Sequence, residues 1–162
     1  MRKILVSVVG GRSVTADEEA VAQAVGREIA KRGAVLVCGG LGGVMEAACR
    51  GAKSAGGVTV GILPTADARD ANPYVDIALA AGIGFARNYL VGASTDAVVA
   101  VDGSLGTLSE VAFALDKGLP VAAIGSWELD PARLPVTARL HHATDAAEAV
   151  DWVFKSLEGL RS

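Results

Sequence analysis

Glycine clusters at three places in the sequence: GGRS at 10–13, GGLGG at 39–43 and DGSLGT at 102–107. Each follows an apolar run and leads toward a segment with helical periodicity. Such a turn presents free backbone N–H groups and the positive end of a helix dipole, a setting that favours an anion. A single glycine turn is ordinary chain geometry. Three of the same kind point to a ligand that carries phosphate. Gly10, Gly11, Arg12, Ser13, Gly39, Gly40, Gly42, Gly43, Gly103, Ser104, Gly106 and Thr107 are therefore candidate ligand-binding residues.

Two charged residues sharpen the pattern. Arg87 falls in the first turn of a helix that follows GIGFA, where the helix dipole opposes a cation by about 0.3–1 kcal/mol. A surface salt bridge would account for it, and so would an anion held between that helix end and the glycine turns. Arg12 repeats the arrangement after the first strand. Glu110 has two readings. Thr107-x-x-Glu110 has the spacing of a capping box, in which the hydroxyl and the carboxylate each satisfy one free N–H. The other reading is functional, and the two compete, because a phosphate held at this helix end would want the same N–H groups.

Other chemistries lack their residues. A phosphate-binding P-loop needs Gly-Lys-Ser/Thr, and the nearest text, GAKS at 51–54, places Ala52 before the lysine. A dinucleotide fingerprint needs a glycine where Met45 stands, and an acid at the end of strand two, where Cys38 stands. A redox NAD enzyme is not expected. Cys38 and Cys49 have no metal-ligand spacing and read as buried thiols. His141 and His142 are adjacent in a strand and point to opposite faces, so they share no metal; no metal site is expected. Trp127 and Trp152 read as packing or interface residues outside the glycine-rich edge.

The elements that must position these groups alternate from the first residue. Strands are expected over 3–9, 34–38, 58–63, near 75–79, over 96–101 and over 120–125, with helices over 16–32, 43–55, 85–94, up to Gly118, and from Ala146 onward. Continuous apolar strands separated by helices indicate right-handed βαβ units. The fold class is therefore α/β, a Rossmann-like doubly wound, mainly parallel sheet with helices on both faces. The span 1–162 is expected to form one domain. In such a sheet ligands bind outside the carboxyl ends of the strands, which is where all three glycine turns fall. The region 126–139, with Pro131 and Pro135, reads as a loop, and DAAE at 145–148 reads as a helix cap.

Composition narrows the partners. Fifteen basic and eighteen acidic residues give a net charge of −3, which argues against a nucleic-acid binder. The apolar fraction is 51% and mean hydropathy is +0.41, yet charged residues and glycines interrupt every apolar run before it reaches membrane-spanning length. Excess apolar surface of this kind is expected to be buried between copies, in a homodimer or higher homo-oligomer. The opening MRKILVSVV lacks a cleavage site and reads as a strand, so a cytoplasmic location is expected.

The segments CGGLGGVMEAACRGA (38–52) and ARN followed by DAVVAVDGSLGTLSE (96–110) resemble the motifs GGGPGIMEAANRGA and PGGxGTxxE of LONELY GUY-type proteins, long labelled lysine decarboxylases. The short length, ANPYVDI and GVMEA are most similar to a branch that includes molybdenum cofactor carrier-like proteins. The resemblance implies a Rossmann-like homodimer that holds a nucleotide-like phosphate at Gly106 and Thr107. It assigns Arg87 and Glu110 to the family's catalytic pair, and adds Glu46 and Asn88 to the ligand-binding set. It implies one of two functions. The first is binding or carriage of a phosphorylated small molecule, a nucleotide monophosphate or a molybdopterin-type cofactor. The alternative is hydrolysis of the N-glycosidic bond of a nucleoside 5′-monophosphate, with Glu110 stabilising the charge that builds on the sugar. The chain departs from the motif at Asp102 for proline, Ser104 for glycine and Asn88 for lysine. No lysine stands near this edge to hold pyridoxal phosphate, so lysine decarboxylation is not expected.

Overall fold

The computed structural model describes residues 1–160; residues 161 and 162, the end of the span read as one domain, lie outside the described residues. Seven strands form one parallel sheet: β1 (Leu5–Gly10), β2 (Val35–Cys38), β3 (Val58–Leu63), β4 (Ile77–Ala80), β5 (Ala97–Val101), β6 (Pro120–Ile124) and β7 (Arg139–His142). Their spatial order is β4-β3-β2-β1-β5-β6-β7. The chain builds outward from β1 to β4, crosses back, and lays β5 along the free side of β1, with Gly10 opposite Val101. The order therefore reverses between β1 and β5.

Side chains alternate across this sheet, as the two-residue strand period requires. Val6, Val8, Leu36, Val99 and Ala122 face a core closed by α1 (Ala16–Lys31), α2 (Val44–Ser54) and α5 (Ala146–Gly159). Val9, Val37, Val98, Ala100 and Val121 face a second core under α3 (Arg87–Ala93) and α4 (Leu105–Asp116). Ser7 is the buried polar exception on β1. Its hydroxyl donates to the carbonyl of Val91 at 2.6 Å, so its burial carries no unmet hydrogen bond. The expected α/β doubly wound architecture is present, with every strand pair parallel. No helix among the described residues is long and apolar enough to cross a membrane.

Local signals set the element ends. Thr15 caps α1 with a reciprocal box: the Glu18 N–H donates to its hydroxyl at 3.2 Å, and its own N–H donates to the Glu18 carboxylate at 2.8 Å. Asp145 caps α5 by accepting from the Glu148 N–H at 2.8 Å. The Glu148 side chain turns instead to the Thr144 N–H and to His141, whose ring stacks on Trp152.

Helices α1 and α2 touch backbone to backbone. A β-carbon on Gly26 would lie 1.9 Å from the Ala48 carbonyl oxygen, and one on Gly51 would lie 1.9 Å from that of Gln23. Two helices that approach this closely accept no side chain at the crossing. Gly26→Ala is expected to destabilise the fold by about 1–3 kcal/mol, the range for overpacking a tight interior, read as a lower urea midpoint with an unchanged slope.

Candidate functional site

A cleft opens where the strand order reverses, at the carboxyl ends of β1 and β5. Gly10 and Arg12 come from the β1–α1 turn, Ser104, Gly106, Thr107 and Glu110 from the start of α4, Arg87 and Asn88 from the start of α3, and Met45 and Phe85 close it. Its volume is about 80 Å³. A second hollow of about 210 Å³ adjoins it, sharing Arg12, Phe85, Arg87 and Asn88 and adding Leu41, Pro64 and Gly84. A larger depression of about 570 Å³ lies at the opposite edge of the sheet, between the end of α4 and the start of β7. It is open and surface-lined, and none of the glycine turns reaches it.

The turn into α4 differs from the capping box expected of Thr107 and Glu110. The helix starts three residues earlier, with Ser104 as its cap, and the Ser104 N–H donates to the Thr107 hydroxyl oxygen at 3.3 Å. Thr107 is thus the third helical residue, and Glu110 falls in the second turn, beyond reach of the free N–H groups. Glu110 is 7% exposed, and its carboxyl makes no hydrogen bond to another described residue. Glu110 is therefore not part of the cap, and it lines the cleft.

Arg87 is also only 7% exposed. Its Nε is buried and has no hydrogen-bond partner, and among the described residues no carboxylate lies within ion-pair distance. The surface salt bridge that would have explained it is absent. The guanidinium lies across Gly39: a β-carbon there would sit 2.3 Å from Nη1 and 2.8 Å from the Met45 sulfur. Burial lowers the Arg87 pKa below its usual range, opposed by the charge of Glu110. Burial likewise pushes the Glu110 carboxyl up from 4.5 to about 8, with Arg87 only partly offsetting it. At neutral pH Glu110 is mostly the neutral acid, and the cleft is net positive. Asn88 is fixed beside them, donating from Nδ2 to Ser109 Oγ at 3.2 Å, while that hydroxyl donates to the Gly106 carbonyl at 2.6 Å.

The turn before α4 is held from outside. Asp102 has φ of 50°, the one left-handed non-glycine residue among those described, and Gly103 has φ of 131°. Proline, locked near −65°, cannot occupy position 102 in this turn. Three contacts over-determine the conformation: the Asp102 N–H donates to the Ile124 carbonyl at 3.1 Å, the Ser126 hydroxyl donates to the Asp102 carbonyl, and the Trp127 indole N–H donates to the Ser104 carbonyl at 2.9 Å. Trp127, expected away from this edge, is therefore part of the scaffold that shapes it. The Asp102 side chain does not line the cleft.

The expected residues thus separate into two groups. Gly10, Arg12, Arg87, Asn88, Ser104, Gly106, Thr107 and Glu110 converge. Gly11, Ser13, Gly39, Gly40, Gly42, Gly43 and Gly103 do not line the cleft. Several shape its walls: the Val44 N–H donates to the Gly11 carbonyl at 3.0 Å, and the Asn72 N–H donates to the Gly40 carbonyl at 2.8 Å. Glu46 points into a separate hollow beside Glu19 and Arg50. Met45, Phe85, Leu41 and Pro64 went unrecognised in the sequence; an aromatic two residues before Arg87 was the available signal. Cys38 and Cys49 are free, buried thiols with sulfurs 3.5 Å apart. No group of three or more metal-ligating side chains occurs among the described residues.

The model of the SLOG cluster4 family matches residues 3–150. The chain belongs to the SLOG cluster4 family. This SLOG cluster4 protein is 43% identical over 125 residues to a protein of Archaeoglobus fulgidus, covering 76% of this chain and 82% of that one. Its structure is similar to that of a molybdenum cofactor binding protein from the phototrophic bacterium Rippkaea orientalis, with a TM-score of 0.87, 34% identity, and coverage of 97% and 99%. It is also similar to the molybdenum cofactor carrier protein of Chlamydomonas reinhardtii, with a TM-score of 0.80, 34% identity, and coverage of 98% and 99%.

Glu110 makes the stability of this SLOG cluster4 protein pH-dependent. Its folded pKa of about 8 exceeds the ordinary value of 4.5, so the native state binds more protons between those limits and stability falls as pH rises through them. Glu110→Gln is expected to remove that loss, narrowing the difference between urea midpoints measured at pH 5 and pH 9.

Proposed function

We propose that this chain is a cytoplasmic, single-domain homo-oligomer that binds a phosphorylated small molecule in the cleft, a nucleotide monophosphate or a molybdopterin-type cofactor, and acts as its carrier. The observation that carries this reading is Arg87: a buried guanidinium with an unpartnered Nε and no ion pair, lining a small cavity together with Arg12, Asn88, Ser104 and Thr107. Burying such a charge without a partner is costly. An anionic oxygen placed there would meet Arg87, the free N–H groups at the start of α4 and the Thr107 hydroxyl together. The residues present suit a phosphate group on that ground, and the likeness to proteins described as binding or carrying the molybdenum cofactor supports the same class of ligand. Exposed Tyr89 and Leu90 on α3, with Tyr89 edge-on to Phe113 of α4, supply apolar surface for self-association.

The second reading, LONELY GUY-type phosphoribohydrolysis, is favoured by one observation: Arg87 and Glu110 line the same cleft in the family's order. A carboxylate that stabilises a sugar cation must be ionised. Glu110 is mostly protonated at neutral pH, and the turn before it follows a path closed to the family's proline. Both features favour binding over hydrolysis.

Calorimetric titration with AMP, and with molybdopterin, tests the proposal. Binding is expected with wild type, and Arg87→Ala is expected to weaken it by about 10–100-fold, the worth of a charge-assisted hydrogen bond. Absence of binding to either, or identical affinity in Arg87→Ala, would refute the reading. Incubation of the wild type with AMP is expected to leave the base attached; adenine released by wild type and not by Glu110→Gln would establish the hydrolase instead.

A further inference from the structure

The hollow beside the anion cleft has a composition of its own. Leu41 comes from the β2–α2 turn, Pro64 from the end of β3, and Gly84 and Phe85 from the single 3-10 turn, Gly84–Ala86, that leads into α3. This turn is anchored: the Gly84 N–H donates to the Pro64 carbonyl at 2.9 Å, and the Gly82 N–H donates to the Thr65 carbonyl at 2.9 Å. The wall that carries Phe85 is therefore fixed to the sheet.

Phe85 is 87% exposed, although it lines both cavities. A rigidly mounted aromatic with an open face, at the junction of the two hollows, is placed to receive a flat surface. The chamber's polar side chains are Arg12 and Arg87, donors without acceptor capacity, and the amide of Asn88, and no carboxylate lines it. Sugar hydroxyls, which must donate as well as accept, find a single side-chain acceptor there, the Asn88 amide oxygen. A ring with apolar faces and acceptor atoms on its edge meets Phe85 and Leu41 with the one and the arginines with the other. The volumes agree in proportion, about 80 Å³ at the anion end and about 210 Å³ in the adjoining hollow. Together they approach the roughly 300 Å³ at which ordinary small-molecule sites begin.

On the anion-binding reading above, on which this depends, we infer that the second hollow is a ring-binding compartment in which Phe85 stacks on a planar heterocycle joined to the phosphate. The chain then selects phosphate esters of flat heterocycles over bare phosphate or sugar phosphates. Phe85 sets that choice, while Arg87 sets affinity for all of them.

Equilibrium titration with AMP, ribose 5-phosphate and inorganic phosphate separates the two roles. Wild type is expected to bind AMP about tenfold more tightly than ribose 5-phosphate, the factor that stacking one ring on an aromatic side chain supplies. Phe85→Ala is expected to abolish that preference, read as the ratio of the AMP and ribose 5-phosphate affinities, and Phe85→Trp to retain it. Arg87→Ala is expected to weaken all three ligands. Equal affinity of wild type for AMP and ribose 5-phosphate overturns the compartment and leaves the anion site standing. So does an AMP preference that survives in Phe85→Ala, or a fall in oligomeric mass of that variant by light scattering with the preference intact, which would place Phe85 against another copy. Failure of all three ligands, and of molybdopterin, to bind overturns the anion site, and the compartment with it.

Discussion

The burial of Arg87 without a counter-ion constrains everything around it. A guanidinium in that position needs a bed free of side chains, which Gly39 supplies, and a flexible apolar neighbour, which Met45 supplies. It raises the potential of the cleft, yet desolvation at Glu110 outweighs its attraction, and the carboxyl keeps its proton. A direct Arg87–Glu110 ion pair would have consumed both charges and closed the cavity. Held apart, they leave a small polar chamber whose positive side is permanent and whose acidic side is neutral at ordinary pH.

The β-sheet does the rest by topology. Parallel strands send every carboxyl end to one edge, and the reversal of order between β1 and β5 parts the helices above that edge. Three glycine turns arrive there with different tasks. The first and third line the cleft. The second lies behind it, its carbonyls tied down by Asn72 and its helix start tied to Gly11. Its glycines answer to close packing: a β-carbon on Gly43 would sit 2.2 Å from the Gly11 oxygen. The second turn thus builds the wall behind the cleft that the first and third turns line.

The fold was legible because its signals are local. Apolar runs bounded by glycine, and repeats such as Val21, Val25 and Ile29, report burial directly, and β3 matched its expected range of 58–63 residue for residue. Arg87 was legible as an anomaly, a cation at the wrong end of a helix. The cap at Thr107 misled because the spacing of a capping box is satisfied twice in SLGT-LSE, and only tertiary contacts from Ser126 and Trp127 choose the earlier start. Glu46 lines a separate hollow on the same helix, and motif similarity does not specify which face of a helix a residue occupies. Phe85, Pro64 and Leu41 are long-range neighbours, and no periodicity in a single sequence announces them.

The seam between β1 and β5 has a consequence for the chain as a whole. One side of the cleft is made before the crossover and the other after it, from residues far apart in sequence that meet only when β5 docks. Neither half of the polypeptide alone owns the site. Whatever occupies the cleft touches both halves and acts as a cross-link between them, so an occupied chain must let go of its ligand before the sheet can part along its middle, and the ligand's concentration becomes one of the terms that sets the lifetime of the fold.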